Sequence, residues 1–118
     1  MVVEGDAAEQ IRAAIRRIGR HAHATNLDRS ARLKATFEVA ANGSLSDSER
    51  EAAAELAHQL VGSAGTFGFP EVSQLAAELE SFFADRAYGN PERVATARVQ
   101  LLQLEEELAH EPSYTDGT

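Results

Sequence analysis

The stretch SDSEREAAAELAHQLVGSAGTFGFPEVSQLAAELESFF, residues 46–83, decides the fold. Ser46 followed three residues later by Glu49 has the spacing of a capping box, in which hydroxyl and carboxylate each satisfy a free backbone N–H, so a helix starts here. Ala53, Leu56, Leu60, Ala64 and Phe67 recur at three- and four-residue intervals and define its buried face. The helix runs to about Phe67. Gly68 suits a helix stop, Pro70 suits the first position of the next helix, and Glu71 adds a favourable charge to that N-terminus. The following helix carries Val72, Leu75, Leu79, Phe82 and Phe83. Residues 46–83 therefore read as two helices folded back on each other at Phe69.

The pattern extends outward on both sides. Upstream, Ile11, Ile15 and Ile18 begin a helical pattern near Asp6, and Leu33, Phe37 and Ala40 continue one. Ile15 and Leu33 are eighteen residues apart, five turns, so both stretches keep one apolar face and form one long helix. Gly19 and the polar cluster Thr25-Asn26-Leu27-Asp28, which can cap a new helix, leave open a split into two. Asn42-Gly43 ends the unit. Downstream of Tyr88-Gly89, Asn90 caps and Pro91 starts a last helix with the stripe Val94, Ala97, Leu101, Leu104 and Leu108. Amphipathic helices joined by short loops bury their stripes together, so the fold class is all-α, an antiparallel four-helix bundle. Residues 1–110 make one domain and 111–118 a flexible tail.

Composition bounds the function. The chain has 118 residues, 43% hydrophobic, room for one modest core. Without cysteine it has neither disulfides nor thiolate metal sites, which is compatible with a reducing compartment. Acids stand at the N-terminus where a signal peptide needs basic residues, and no apolar run approaches the ~18 residues of a membrane span. The expected location is cytoplasmic, without membrane contact. The net charge of -8 divides into +1 over residues 1–50 and -9 over residues 51–118, and the acidic half repels nucleic acid. The bases Arg12, Arg16, Arg17, Arg20, Arg29, Arg32 and Lys34 read as a solvated helix face.

His58 is two residues from both Leu56 and Leu60, hence rotated 200° from each and directed away from the core stripe. Gly62 and Gly65, at i+4 and i+7, share its outward face. Each interior glycine costs a helix about 1 kcal/mol relative to alanine. Either another surface approaches His58 closely, or a neighbouring helix needs the room. Glu80 lies as far beyond Phe69 as His58 lies before it, eleven residues, so an antiparallel hairpin places the two at one height, about 16 Å from the turn at 1.5 Å per residue. A carboxylate there can accept a hydrogen bond from one ring nitrogen and leave the other unprotonated and nucleophilic. An ordinary surface acid is the alternative.

His58-Gln59-Leu60, Gly62-Ser63-Ala64 and Gly68, with Leu79-Glu80 in the next helix, resemble the histidine-containing phosphotransfer (HPt) domains of bacterial phosphorelays. Gly65-Thr66-Phe67-Gly68-Phe69 is similar to the phosphoacceptor domain of chemotaxis histidine kinases. The resemblance covers roughly residues 53–83 at the level of motifs. It implies a two-component phosphotransfer module without autonomous kinase activity, in agreement with the lack of a phosphate-cradling glycine loop. His58 would be the phosphoacceptor through Nε2, with Glu80 orienting Nδ1. Gly62, Gly65, Val61 and Ala54 would form the docking surface for the receiver domain of a response regulator. The resemblance implies no cofactor or metal in this chain, Mg²⁺ brought by the receiver, and a histidine kinase or further domains of a longer chain as other partners; the expected state is a monomer. In the family a lysine commonly stands where this chain has Val61, three residues after the histidine, where it can neutralise phosphoryl charge. That departure keeps a second reading, a helical docking domain that binds a receiver without transfer.

The remaining histidines carry less. His21 and His23 are two apart, nearly opposite on a helix, which excludes a zinc pair on one face and makes both surface residues. His110 sits where it can meet the last helix's C-terminal dipole, and Glu105-Glu106-Glu107 reads as a solvated run.

Overall fold

The computed structural model describes residues 3–110, with side chains from Asp6 onward. It is all-α: α1 (Val3–Ala41), α2 (Asp47–Thr66), α3 (Pro70–Ala84) and α4 (Pro91–Ala109), with a single 3₁₀ turn (Ala87–Gly89) before α4. The tail expected at 111–118 lies outside the described residues.

Local chemistry sets each boundary. Ser46 Oγ accepts from the Glu49 amide at 3.1 Å and Glu49 Oε1 accepts from the Ser46 amide at 3.0 Å, completing the capping box of α2. Gly43 and Gly68, at φ 76° and 91°, end α1 and α2 in the left-handed region where a side chain is strained. Both ends close as Schellman turns, with Ser44 N–H donating to Val39 O at 3.2 Å and Phe69 N–H to Ala64 O at 2.8 Å. Asn90 Oδ1 accepts from the amides of Glu92 and Arg93 and caps α4.

The helices run antiparallel, and the pairings show the register. Along α1 and α4 the partners move in opposite directions, from His23 with Leu108, through Lys34 with Glu105, to Glu38 with Arg98. The core is Leu33, Phe37 and Ala40 of α1, Ala53, Ala57, Leu60 and Ala64 of α2, Val72, Ala76, Leu79, Phe82 and Phe83 of α3, and Ala97, Leu101, Leu104 and Leu108 of α4, with Phe69 closing the hairpin end. Phe37, Phe82 and Phe83 meet in tilted and edge-on pairs, and the Arg98 guanidinium covers Phe37 5.1 Å from its centroid.

The first helix is one unbroken element. Asn26, in the cluster that left a split open, is fully buried within α1. Its apolar stripe is continuous as expected, but its burial is not: Ile11, Ile15 and Ile18 are 60%, 62% and 55% exposed. Length explains this. A helix of 39 residues spans about 58 Å at 1.5 Å per residue, whereas α2, with 20 residues, spans about 30 Å and the other two less. The hairpin end of the bundle lies level with His23, so residues before Ala22 project beyond it, and the molecule measures 65 × 26 × 18 Å.

Candidate functional site

Helix α2 presents its solvent face between α1 and α3. The residues it buries are Ala53, Ala57, Leu60 and Ala64; Leu56 and Phe67, assigned to the core from spacing, are only half-buried. With Ala57 in the core, the adjacent His58 is 100° from a buried residue and flanks the seam with α3. Its side chain is 65% exposed.

From that flank His58 meets Glu80 across the hairpin. Nδ1 lies 3.2 Å from Oε2 and 3.4 Å from Oε1. An ionised carboxylate only accepts, so Nδ1 carries the hydrogen and donates, and in the neutral ring the lone pair is then on Nε2. Helix α3 holds Glu80 in place because Leu79, its neighbour, is fully buried. The equal spacing of the two residues from Phe69 thus becomes a contact.

The two glycines have different surroundings. A Cβ at Gly62 would meet nothing within 4 Å, so beside His58 the backbone of α2 is open to an approaching surface. A Cβ at Gly65 would sit 3.3 Å from Ser73 Oγ, and that hydroxyl donates to Val61 O at 2.7 Å. Packing against α3 accounts for Gly65, while nothing within the bundle accounts for Gly62. Val61 and Ala54 are half-buried against the core at the edge of the same face.

Spacing did not reveal the polar contacts behind this face. Asn26 Nδ2 donates to Ser63 Oγ at 3.1 Å, and Asn26 Oδ1 accepts from Arg29 Nη1 at 2.9 Å. A buried amide therefore ties α1 to α2 and fixes a cation on α1 next to it. The available signal was the position of Asn26, on the face of Leu33 and Phe37 where an apolar residue belongs. His23, expected at the surface, is half-buried: its Nε2 donates to Leu108 O at 2.7 Å and its ring packs on Phe69, 5.0 Å between centroids. It is a structural residue that closes the bundle end.

Among the described residues no helix is long and apolar enough to cross a membrane. A family model described as Hpt domain matches residues 5–111. No curated protein and no solved structure matches the chain.

Proposed function

The chain belongs to the Hpt domain family, the histidine phosphotransfer modules of phosphorelays, and from that premise we propose that His58 exchanges a phosphoryl group with the aspartate of a response-regulator receiver domain. The observation that carries this reading is the exposed His58–Glu80 pair, in which Nδ1 faces the carboxylate and the neutral ring has its lone pair on Nε2.

In the transfer the Nε2 lone pair attacks phosphorus in line, the P–O bond to the receiver's aspartate breaks, and that carboxylate leaves with the bonding electrons. The imidazole becomes cationic as the N–P bond forms, and the Glu80 carboxylate at Nδ1 stabilises the developing charge while keeping the ring oriented. Positioning provides much of the rate in phosphoryl transfer, and Gly62 supports it by letting the receiver's backbone come close. Gly65, Val61 and Ala54 frame that contact at the α3 edge. In this reading a Mg²⁺ brought by the receiver would neutralise phosphoryl oxygens, and the carboxylate beside His58 is turned to Nδ1. Val61, half-buried, places no charge at the position of the family's lysine, and Arg29, anchored through Asn26, is the α1 cation tied to this helix.

The test is transfer from a phosphorylated receiver in Mg²⁺ to the wild-type domain and to His58→Gln. Acid-labile, base-stable phosphate on the wild type alone is the expected result. Receiver binding without label, surviving His58→Gln, would favour a docking module instead.

A further inference from the structure

Among the described residues Arg86 alone, glycines aside, stands in the left-handed region, at φ 55° and ψ 41°. It follows the last turn of α3, where helices commonly end on glycine because a Cβ is strained there. Its contacts within the bundle do not account for an arginine at that place. The side chain is 61% exposed, and of its five N–H donors one is used, from Nη2 to Asp47 Oδ1 at 2.8 Å. That oxygen already accepts from Arg50 Nε at 2.9 Å, and the bond from Arg50 is what chiefly holds Asp47 below the usual carboxylate range. Asp47 is itself 60% exposed, and an ion pair between two such groups adds little to stability.

The position of Arg86 relative to His58 supplies the reason. Asp47, which it touches, and His58 are eleven residues apart on α2, three turns and about 20°, so they share one face at about 16 Å. Helix α3 leads the same way: Ala84 is one turn beyond Glu80 and exposed, and Arg86 is two residues further. The ground between is low on both helices, with Ala54 on α2 and Ala84 on α3. Glu51, the longer side chain there, is paired with Arg50 Nη2 at 3.6 Å. Resting on the phosphotransfer reading of His58, we propose that Arg86 is a docking residue for the receiver: it pairs with a carboxylate that the receiver carries about 16 Å from its phosphorylated aspartate, and so selects which receivers engage His58. A globular domain of 100 residues has a radius of gyration of about 13 Å, so a receiver seated on His58 also reaches Arg86. The exposed bond to Asp47 is readily exchanged, and the strained turn holds the guanidinium at the rim before the receiver arrives. Charge at the rim of an interface acts on encounter and partner choice more than on the chemistry at its centre.

Binding and transfer are measured separately with the full chain and the receiver of the transfer test, labelled for fluorescence anisotropy, alongside thermal melts. Arg86→Gly should melt no lower than wild type, because the left-handed strain is gone, yet bind the receiver about fivefold more weakly. Arg86→Glu should bind more weakly still, and Arg86→Lys should keep most of the affinity. In transfer the loss should fall on the half-saturating concentration and not on the saturated rate. Added salt should weaken wild type more steeply than Arg86→Gly. Equal affinity of wild type and Arg86→Gly, a melting point that falls in Arg86→Gly, or a wild type that binds no receiver would each overturn the proposal. Failure of the phosphotransfer reading looks different: His58 takes no label, while the affinities still rank the Arg86 variants.

Discussion

At His58 a single contact divides the labour of the ring: Nδ1 is turned to Glu80 and, in the neutral ring, the lone pair is on Nε2. A hydrogen bond to a charged group contributes about 1.5–3 kcal/mol, so Glu80→Gln should slow transfer about 10- to 100-fold while His58 stays intact, measured by rapid quench from a phosphorylated receiver. Glutamine can also donate, so the tautomer is no longer fixed. Gly62 gives a second prediction, with opposite signs for stability and function. Because nothing lies within 4 Å of a Cβ there, Gly62→Ala should stabilise the fold by about 0.5–1 kcal/mol in denaturant unfolding. The larger Gly62→Gln should fold as well as wild type yet transfer at least about tenfold more slowly, a loss of roughly 1.4 kcal/mol in docking. His58, Glu80 and Gly62 were legible in the sequence because equal spacing from a hairpin turn and helical periodicity fix relative position. The reason for Gly65 was not, since it depends on Ser73 facing it from α3, a contact that spacing within one helix does not carry.

Among the elements, α2 shows its determinants most clearly. Glu49 is held below the usual carboxylate range by hydrogen bonds from the Ser46 backbone and then its hydroxyl, and Asp47 by its bond from Arg50. A carboxylate whose folded pKa is depressed contributes stability above its unfolded pKa, and that contribution is lost as pH falls through the folded value. Thermal midpoints followed downward from the ordinary value of 4.5 should therefore fall in the wild type, and fall less in Glu49→Gln, which begins lower at neutral pH. The caps of α2 and α4, the glycine ends of α1 and α2, and the stripe of α4 were all legible, because each rests on residues within a few positions of one another. The continuity of α1 was legible only as one of two readings. Thr25-Asn26-Leu27-Asp28 has the composition of a cap, but Asn26 finds Ser63 and Arg29 as partners instead, and the helix runs on. Tertiary hydrogen bonds outweigh the local preference there.

For the whole molecule, the bundle and the projecting half of α1 are two regimes of stability. Leu33, Phe37 and Ala40 are fully buried, whereas the isoleucines upstream face water. Hydrogen exchange should protect the amides of residues 22–40 almost to the level of global unfolding and leave residues 6–20 exchanging orders of magnitude faster. Equal protection along α1 would show that the extension is packed within one chain. The sequence carried the stripe through both halves because periodicity reports which face is apolar. Whether anything covers that face depends on the lengths of the other helices. At this scale the functional claim concerns an encounter of two molecules at one nitrogen. Its most direct test is to label the histidines with ¹⁵N, transfer phosphate from a receiver, and read the ³¹P–¹⁵N coupling. Coupling to Nε2 of His58 is the expected result, and phosphate on Nδ1, or on His21, His23 or His110, would contradict it.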